Sequence, residues 1–301
     1  MTTPFHGGEI AVQERAGVRA GATRIGSSID DAIAAPAANF LAQRYTLYVG
    51  SLDERGRPWA SQLVGPPGFV CARGTRALHV DAAPAPGDPL GENLRADPQV
   101  GLLAIDLVTR RRFRVNGTAT PGADGAIDVA VVQAYGNCPK YIQRREPVAV
   151  ADPAPDAAAR VTRHTTLTPA MRERLARADT FFLATAHPTA GADVSHRGGA
   201  PGFVEAPDAR RVCWPDYAGN MMFMSLGNIT TNPRAGLLVV DFENGDVLQL
   251  TGTARIDWDA ARARAFPGAE RMIDLDVEAV IDAPAASPLR WRLVEPSPFN
   301  P

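Results

Sequence analysis

The sequence predicts a mainly β fold with some helix, arranged as two tandem small barrels, and three observations carry that reading. The chain has 301 residues, about twice the usual length of one domain. NLRADPQVGLLAID at 93–106 returns as NITTNPRAGLLVVD at 228–241, an offset of 135, which also carries NGTAT (116–120) onto TGTAR (251–255). PGFV at 67–70 returns at 201–204, an offset of 134. Between these anchors run short apolar or alternating segments broken by turn signals, the pattern of antiparallel strands.

In chain order, residues 1–44 read as an N-terminal helical arm and a lead-in helix. The stretch GEIAVQERAGVRAGA reads as a helical arm packed on the barrels, with a lid over the cleft as the alternative, and PAANFLAQR starts at Pro36, a residue suited to the first helical turn. The first barrel spans 45–145, where YTLYVGS, DERGRP and WASQLV read as strand, hairpin turn and strand. Residues 146–166 are the expected linker, because EPVAVADPAPDAAAR is rich in Ala and Pro and has no periodicity. The second barrel, 167–301, repeats the plan: the helix PAMRERLAR from Pro169, then TFFLATA, HPTAGA, DVS, VCWPD, a helix, GLLVVDF, ENGD and VLQLTGTARI. Five or six short antiparallel strands per unit, with one helix before GLLVV, suggest a small barrel.

Composition excludes several classes. Basic and acidic residues nearly cancel, 31 against 33, for a net charge of −2, so neither nucleic acid nor an anionic membrane is an expected partner. No apolar run reaches a membrane span, and the start MTTPFHGGEI lacks a signal peptide's regions, so the expected location is the cytoplasm. Cys71, Cys138 and Cys213 are widely spaced and form no CxxC pair, which gives no metal site and no disulfide framework. Lys140 is the only lysine among the 31 basic residues. A coding bias toward arginine accounts for the rest, and Lys140 reads either as a chance surface residue or as a position needing a compact ammonium.

The two copies differ in polarity. DVSHRGGAPGFV sets Ser195 and Arg197 at a strand end before Gly198 and Gly199, whereas the first copy has apolar ASQLVGPPGFV. WPDYAGNMMFMSLGNI reads as a strand end, a turn and a helix capped by Asn220, gathering free backbone N–H groups beside Arg197 and Ser195. That combination is a phosphate cradle. Taken singly, Arg197 also reads as a salt-bridge partner, Asn220 as a cap, and Ser225 and Asn228 as solvated. VVQAYGNCPKYIQRR at 131–145 has no counterpart in the second copy and carries Cys138 and Lys140. There Lys140 either supplies a cation across the copies or belongs to a basic exposed helix start.

These segments, with NPRAGLLVVDF and LQLTGTARI, resemble the FMN-binding split barrels of the pyridoxamine 5'-phosphate oxidase-like class. The resemblance covers most of both repeats. It implies two tandem split β-barrels forming a pseudo-dimer within one chain, with FMN as cofactor. In single-barrel members two chains pair around the cofactor. Here each copy would keep a complementary half of one site, so one FMN per chain is expected. By similarity Arg197, Ser195, Ser225 and Asn228 lie near the phosphate and ribityl chain, with Gly198 and Asn220 beside them. Tyr217 and Phe223 line the cleft, and Cys138 and Lys140 reach in from the first copy. Relatives often carry further arginines along this helix, where this chain has Met222 and Gly227.

The implied function is an FMN-dependent oxidoreductase with a small-molecule donor, NADH or NADPH among them, and a small-molecule acceptor. The assembly is expected to be a monomeric pseudo-dimer or a homodimer. The closing SPLRWRLVEPSPFNP lacks the substrate signature of true pyridoxamine phosphate oxidation. Relatives of the fold that bind haem or the deazaflavin coenzyme, or a vestigial non-catalytic cleft, are the alternatives. Haem would want a histidine, and none of the five pair at helical spacing. No side chain stands out as a general base: Arg197 opposes protonation of its neighbour His196, and Cys138 reads as a packed thiol.

Overall fold

The computed structural model describes residues 3–122, 125–150 and 160–301. The arm is α1 (Gly7–Arg15) and α2 (Arg19–Gly26), followed by the lead-in helix α3 (Ala35–Ala42). The first copy runs β1 (Thr46–Leu52), β2 (Pro58–Val64), β3 (Val70–Ala72), β4 (Ala77–Val80), α4 (Leu90–Ala96), β5 (Gln99–Asp106), β6 (Arg111–Pro121) and β7 (Ile127–Asn137). After it come β8 (Arg144–Val150), β9 (Thr162–His164) and the second lead-in helix α5 (Pro169–Arg177). The second copy runs β10 (Thr180–His187), β11 (Gly191–Gly198), β12 (Glu205–Asp208), β13 (Arg211–Tyr217), α6 (Met224–Thr231), β14 (Arg234–Val240), β15 (Val247–Asp257), α7 (Ala260–Ala263) and β16 (Ala269–Ala283). β17 (Leu289–Glu295) closes the chain.

The two sheets have the same order, β2-β1-β5-β6-β7-β4-β3 and β11-β10-β14-β15-β16-β13-β12, with β9 added to the second on β16. All pairings are antiparallel, and the end strands of each sheet do not pair with one another. Each copy is therefore a split barrel with seven strands in its path, more than the five or six expected, because the short β3 and β12 count as strands. The expected linker differs as well. Its start is the end of β8, which pairs with β17, and its far end carries β9. Residues 151–159 lie outside the described residues.

The central strands are apolar on both faces, and the packing explains why. In β1, Leu47 and Val49 enter the first copy's core while Tyr48 faces the other way, and in β5 Leu102 and Ala104 alternate with Leu103 and Ile105. In β10 and β14, Phe181, Leu183, Leu237 and Val239 fill the second core, and Phe182, Ala184, Leu238 and Val240 face the first copy. One face of each sheet builds its own core and the other builds the interface, so the usual apolar and polar alternation gives way to continuous apolar runs. Tyr48 and Phe182, equivalent by the 134-residue offset, stack with ring centroids 3.4 Å apart.

The repeated Val/Ala-Gly-Leu-Leu motif serves this interface. A Cβ on Gly101 would lie 2.5 Å from Asp193 Cα, and one on Gly236 would lie 2.2 Å from the Pro58 carbonyl oxygen. Only glycine lets β5 meet β11, and β14 meet β2, at this distance. The two copies thus form a pseudo-dimer within one chain.

Candidate functional site

Where β11 of the second copy passes β6 of the first, a narrow cleft opens between the copies. Ser195 to Gly198, the turn after β13 and the start of α6 form one wall; Arg112, Arg114, Asn137, Cys138 and Tyr141 form the other.

The charge of this cleft is set by arginines. Arg114 forms a buried ion pair with Asp193. Arg197 and Arg271 share the buried Asp216 at 2.5 and 2.9 Å. Arg112 has no carboxylate partner among the described residues; it donates to the Cys138 Sγ at 3.6 Å and approaches His196 Nδ1 at 3.1 Å. Arg271 also pairs with Glu270, so four guanidiniums meet three carboxylates, and 4 − 3 leaves one positive charge, that of Arg112, uncompensated. The Nε atoms of Arg112, Arg114 and Arg197 are buried without hydrogen-bond partners. Burial is the first cause lowering the pKa of both Arg112 and Arg114, yet guanidiniums remain charged in proteins. A buried cation without a carboxylate, as Arg112 is, and buried N–H groups without acceptors are costly unless an anion meets them.

His196 takes a fixed form. A guanidinium only donates, so His196 Nδ1 accepts from Arg112 and the ring proton sits on Nε2. That Nε2 is buried without a partner. Burial first, then Arg112, Arg145 and Arg197, hold the His196 pKa well below its ordinary 6.5. The ring is a neutral N–H donor at the cleft wall, not a group that titrates near neutrality.

Most of the sequence-predicted residues converge here. Ser195, Arg197, Gly198, Tyr217, Asn220, Phe223, Ser225 and Cys138 all line the cleft. Ser195 and Ser225 are hydrogen-bonded to each other at 2.9 Å, and Ser225 also reaches Asp193 at 3.3 Å. At Gly198 a Cβ would sit 2.1 Å from the Tyr141 carbonyl oxygen, so β11 can pass the first copy's turn only with glycine there. Arg197 pairs with a carboxylate and also lines the cleft.

Three expectations need correction. Asn220 does not cap α6; its Oδ1 accepts from the Met222 N–H at 3.1 Å within the preceding turn. The helix begins at Met224 behind Phe223, which takes a left-handed φ of 58° and gives no side-chain cap. Met221 is also left-handed at φ 64°, so strain is concentrated where the helix end meets the cleft. Asn228 lies off the cleft, one face round the helix: it donates to Thr185 at 3.0 Å and accepts from His6 at 2.9 Å. Lys140 does cross to the second copy, but its exposed ammonium donates to the Ala218 carbonyl at 3.2 Å on the rim. The first copy's inward cations are Arg112 and Arg114.

Sequence reading missed these two and His196's role, and it did not place the N-terminal arm on α6. Comparing the copies at offset 135 would have found the arginines, since Arg112 and Arg114 align with Val247 and Gln249. The arm sits directly on α6: a Cβ on Gly227 would lie 2.6 Å from the Glu9 backbone. Gln13 donates to the Met222 carbonyl at 2.9 Å, and Phe5 and Ala22 pack with Tyr135, Met222 and Met224. Gly227 is the place where the arm meets α6. Glu9, buried against this joint, is raised to about 7, chiefly by burial.

The arrangement can bind an anion through guanidiniums from both copies, hydrogen-bond an acceptor through His196, and enclose an apolar ring among Phe223, Tyr217 and Met224. No helix among the described residues is long and apolar enough to cross a membrane. A sequence model of a family described as pyridoxamine 5'-phosphate oxidase matches residues 33–159 and again 167–294. No curated protein matches the chain. Among solved structures, a putative pyridoxamine 5'-phosphate oxidase from Lactobacillus delbrueckii is 19% identical, covering 39% of this chain and 94% of its own, with a TM-score of 0.32. A FAD-binding protein from Mesorhizobium loti is 13% identical over 41% of this chain and 99% of its own, TM-score 0.28. The haem storage protein HutZ from Vibrio cholerae is 16% identical over 38% and 94%, TM-score 0.27.

Proposed function

The chain belongs to the pyridoxamine 5'-phosphate oxidase family, and on that premise we propose that it binds one FMN per chain in the arginine cleft and acts as a flavin-dependent oxidoreductase. The observation that carries this reading is the meeting of Arg112 and Arg114 from one copy with Arg197 from the other, each with a buried, unpartnered Nε. That donor set fits FMN, whose phosphate supplies the missing anion. Bound there, the flavin supplies hydride and electron transfer between a reduced donor such as NADH or NADPH and an acceptor.

The protein's own groups bind and orient. Arg112, free of any carboxylate, is the first phosphate contact, and Arg114 and Arg197 are held in place by Asp193 and Asp216. The first-turn amides of α6 face the same anion. His196 Nε2–H offers one directed hydrogen bond to a cofactor acceptor. Burial raises the Tyr217 phenol, which therefore stays protonated. None of these groups is poised as a base near neutral pH, which suits chemistry carried by a cofactor.

The same tautomer speaks against haem. An iron ligand needs the lone pair of the nitrogen that here carries the proton, and turning it outward would set Arg112 against an N–H. Purified protein, first as isolated and then titrated with FMN, should show flavin absorption at about one FMN per chain. Absence of flavin uptake, or a Soret band, would overturn the reading. Turnover with NADH or NADPH then tests the donor.

A further inference from the structure

The offset that relates the two copies also relates two clefts. Gln62 and Val64 of β2, with Val247 and Gln249 of β15, line a second opening of about 220 Å³. They stand where His196, Gly198, Arg112 and Arg114 stand in the first cleft. Leu63, the counterpart of Arg197, is turned fully into the first copy's core. The walls are alanines and prolines from 83–86 and 283–288. Among the described residues no arginine or lysine lines it.

One charged group does. Asp88 accepts from the Ser61 hydroxyl at 2.7 Å, the Leu90 N–H at 2.9 Å and the Gln249 side-chain amide at 3.0 Å. It forms no ion pair among the described residues. Arg163, committed to the Gly87 carbonyl at 3.1 Å, is the cation that acts on it from a distance. Burial lifts this carboxyl to about 6, so above neutral pH it is an anion held only by neutral donors. The charge is reversed relative to the first cleft.

We propose that this counterpart cleft is a second binding site, for a small apolar molecule bearing one amine, whose ammonium pairs with Asp88 while its apolar body lies on the alanine and proline walls. A phosphate-bearing molecule is excluded, because no guanidinium replaces Arg112, Arg114 or Arg197. Each half of the pseudo-dimer would then hold a different chemical class: an anion at one cleft and an amine at the other.

Phenethylamine and 3-phenylpropionate, nearly equal in shape and opposite in charge, are the probes, measured by calorimetry on the full chain at pH 8 with and without FMN. The amine should bind at one site per chain at least about tenfold more tightly than the carboxylate, and FMN should not displace it. Asp88→Asn should weaken the amine by about tenfold or more. Ala286→Trp should abolish binding by filling the cleft; Ala85→Phe does the same from the other wall should the first variant not fold. No measurable amine binding, equal affinity for both probes, displacement by FMN, or indifference to both the Asp88 and the cleft-filling variants would overturn the proposal. The outcome does not depend on flavin binding, since the FMN-free arm reads the second cleft alone.

Discussion

The arginine cleft and its counterpart come from the same strands by the same geometry, yet one gathers guanidiniums and the other gathers Ala and Pro. In the first, Arg112 and Arg114 of β6 face Arg197 of β11; in the second, Val247 and Gln249 of β15 face Gln62 of β2, with Leu63 buried away. In a symmetric dimer one sequence must serve both clefts. Duplication removes that constraint, so each strand can specialise for the single cleft it reaches. The N-terminal arm deepens the difference. It bridges Tyr135 of the first copy and α6 of the second, at a glycine pair, Gly8 and Gly227, in close mutual contact.

The most disruptive way to break this asymmetry is Arg114→Ala. It leaves Asp193 charged and buried, and should cost about 3–5 kcal/mol of stability, read by chemical denaturation. Adding Asp193→Ala should recover part of the loss; no recovery would mean that the pair is not what holds this wall. Arg112→Ala is gentler on the fold, because Arg112 has no carboxylate to orphan. It should weaken FMN by about 1.5–3 kcal/mol, roughly 10- to 150-fold by fluorescence titration, with the melting temperature unchanged or raised.

Glu9 sharpens the role of the arm. Its folded pKa of about 7 lies above the ordinary 4.5, so the folded state holds a proton that the unfolded state releases between these values. Stability from this group is full below about pH 4.5, falls as pH rises through 7, and levels off above it. Glu9→Gln keeps the acceptor for the His6 N–H and should flatten that fall. Its advantage over the parent should grow by about 1–2 kcal/mol from pH 6 to pH 8 in paired denaturation curves. The smallest effect belongs to Lys140→Ala: an exposed ammonium on a rim carbonyl should change FMN affinity by less than about 0.5 kcal/mol. A tenfold loss would return Lys140 to the cofactor.

The legible part of the site is the part that is contiguous in sequence. Ser195, Arg197 and Gly198 share one strand end, and Tyr217, Asn220, Phe223 and Ser225 share one turn and helix start, so a local pattern brings them together. Arg112 and Arg114 were not legible alone, because alternate arginines on a hairpin strand read as a solvated face. They are buried because β11 of the other copy lies across them. Asn228 sits at helical spacing from Ser225 but is occupied by His6, 222 residues away in sequence. Lys140 stood out by its rarity, and rarity gives no direction in space.

By itself the sequence determined the duplication, the mainly β architecture and the lead-in helices, because periodicity, turn residues and repeat offsets are local and survive without knowledge of contacts; the pairing of copies was implied only by the family resemblance. Tertiary structure alone decided which cations face inward, which tautomer His196 holds, why position 227 must be glycine beside Glu9, and that the counterpart cleft carries a lone carboxylate among the described residues. Those properties depend on burial and on partners more than a hundred residues distant. Desolvation and ion pairing act only once the two copies have closed on each other.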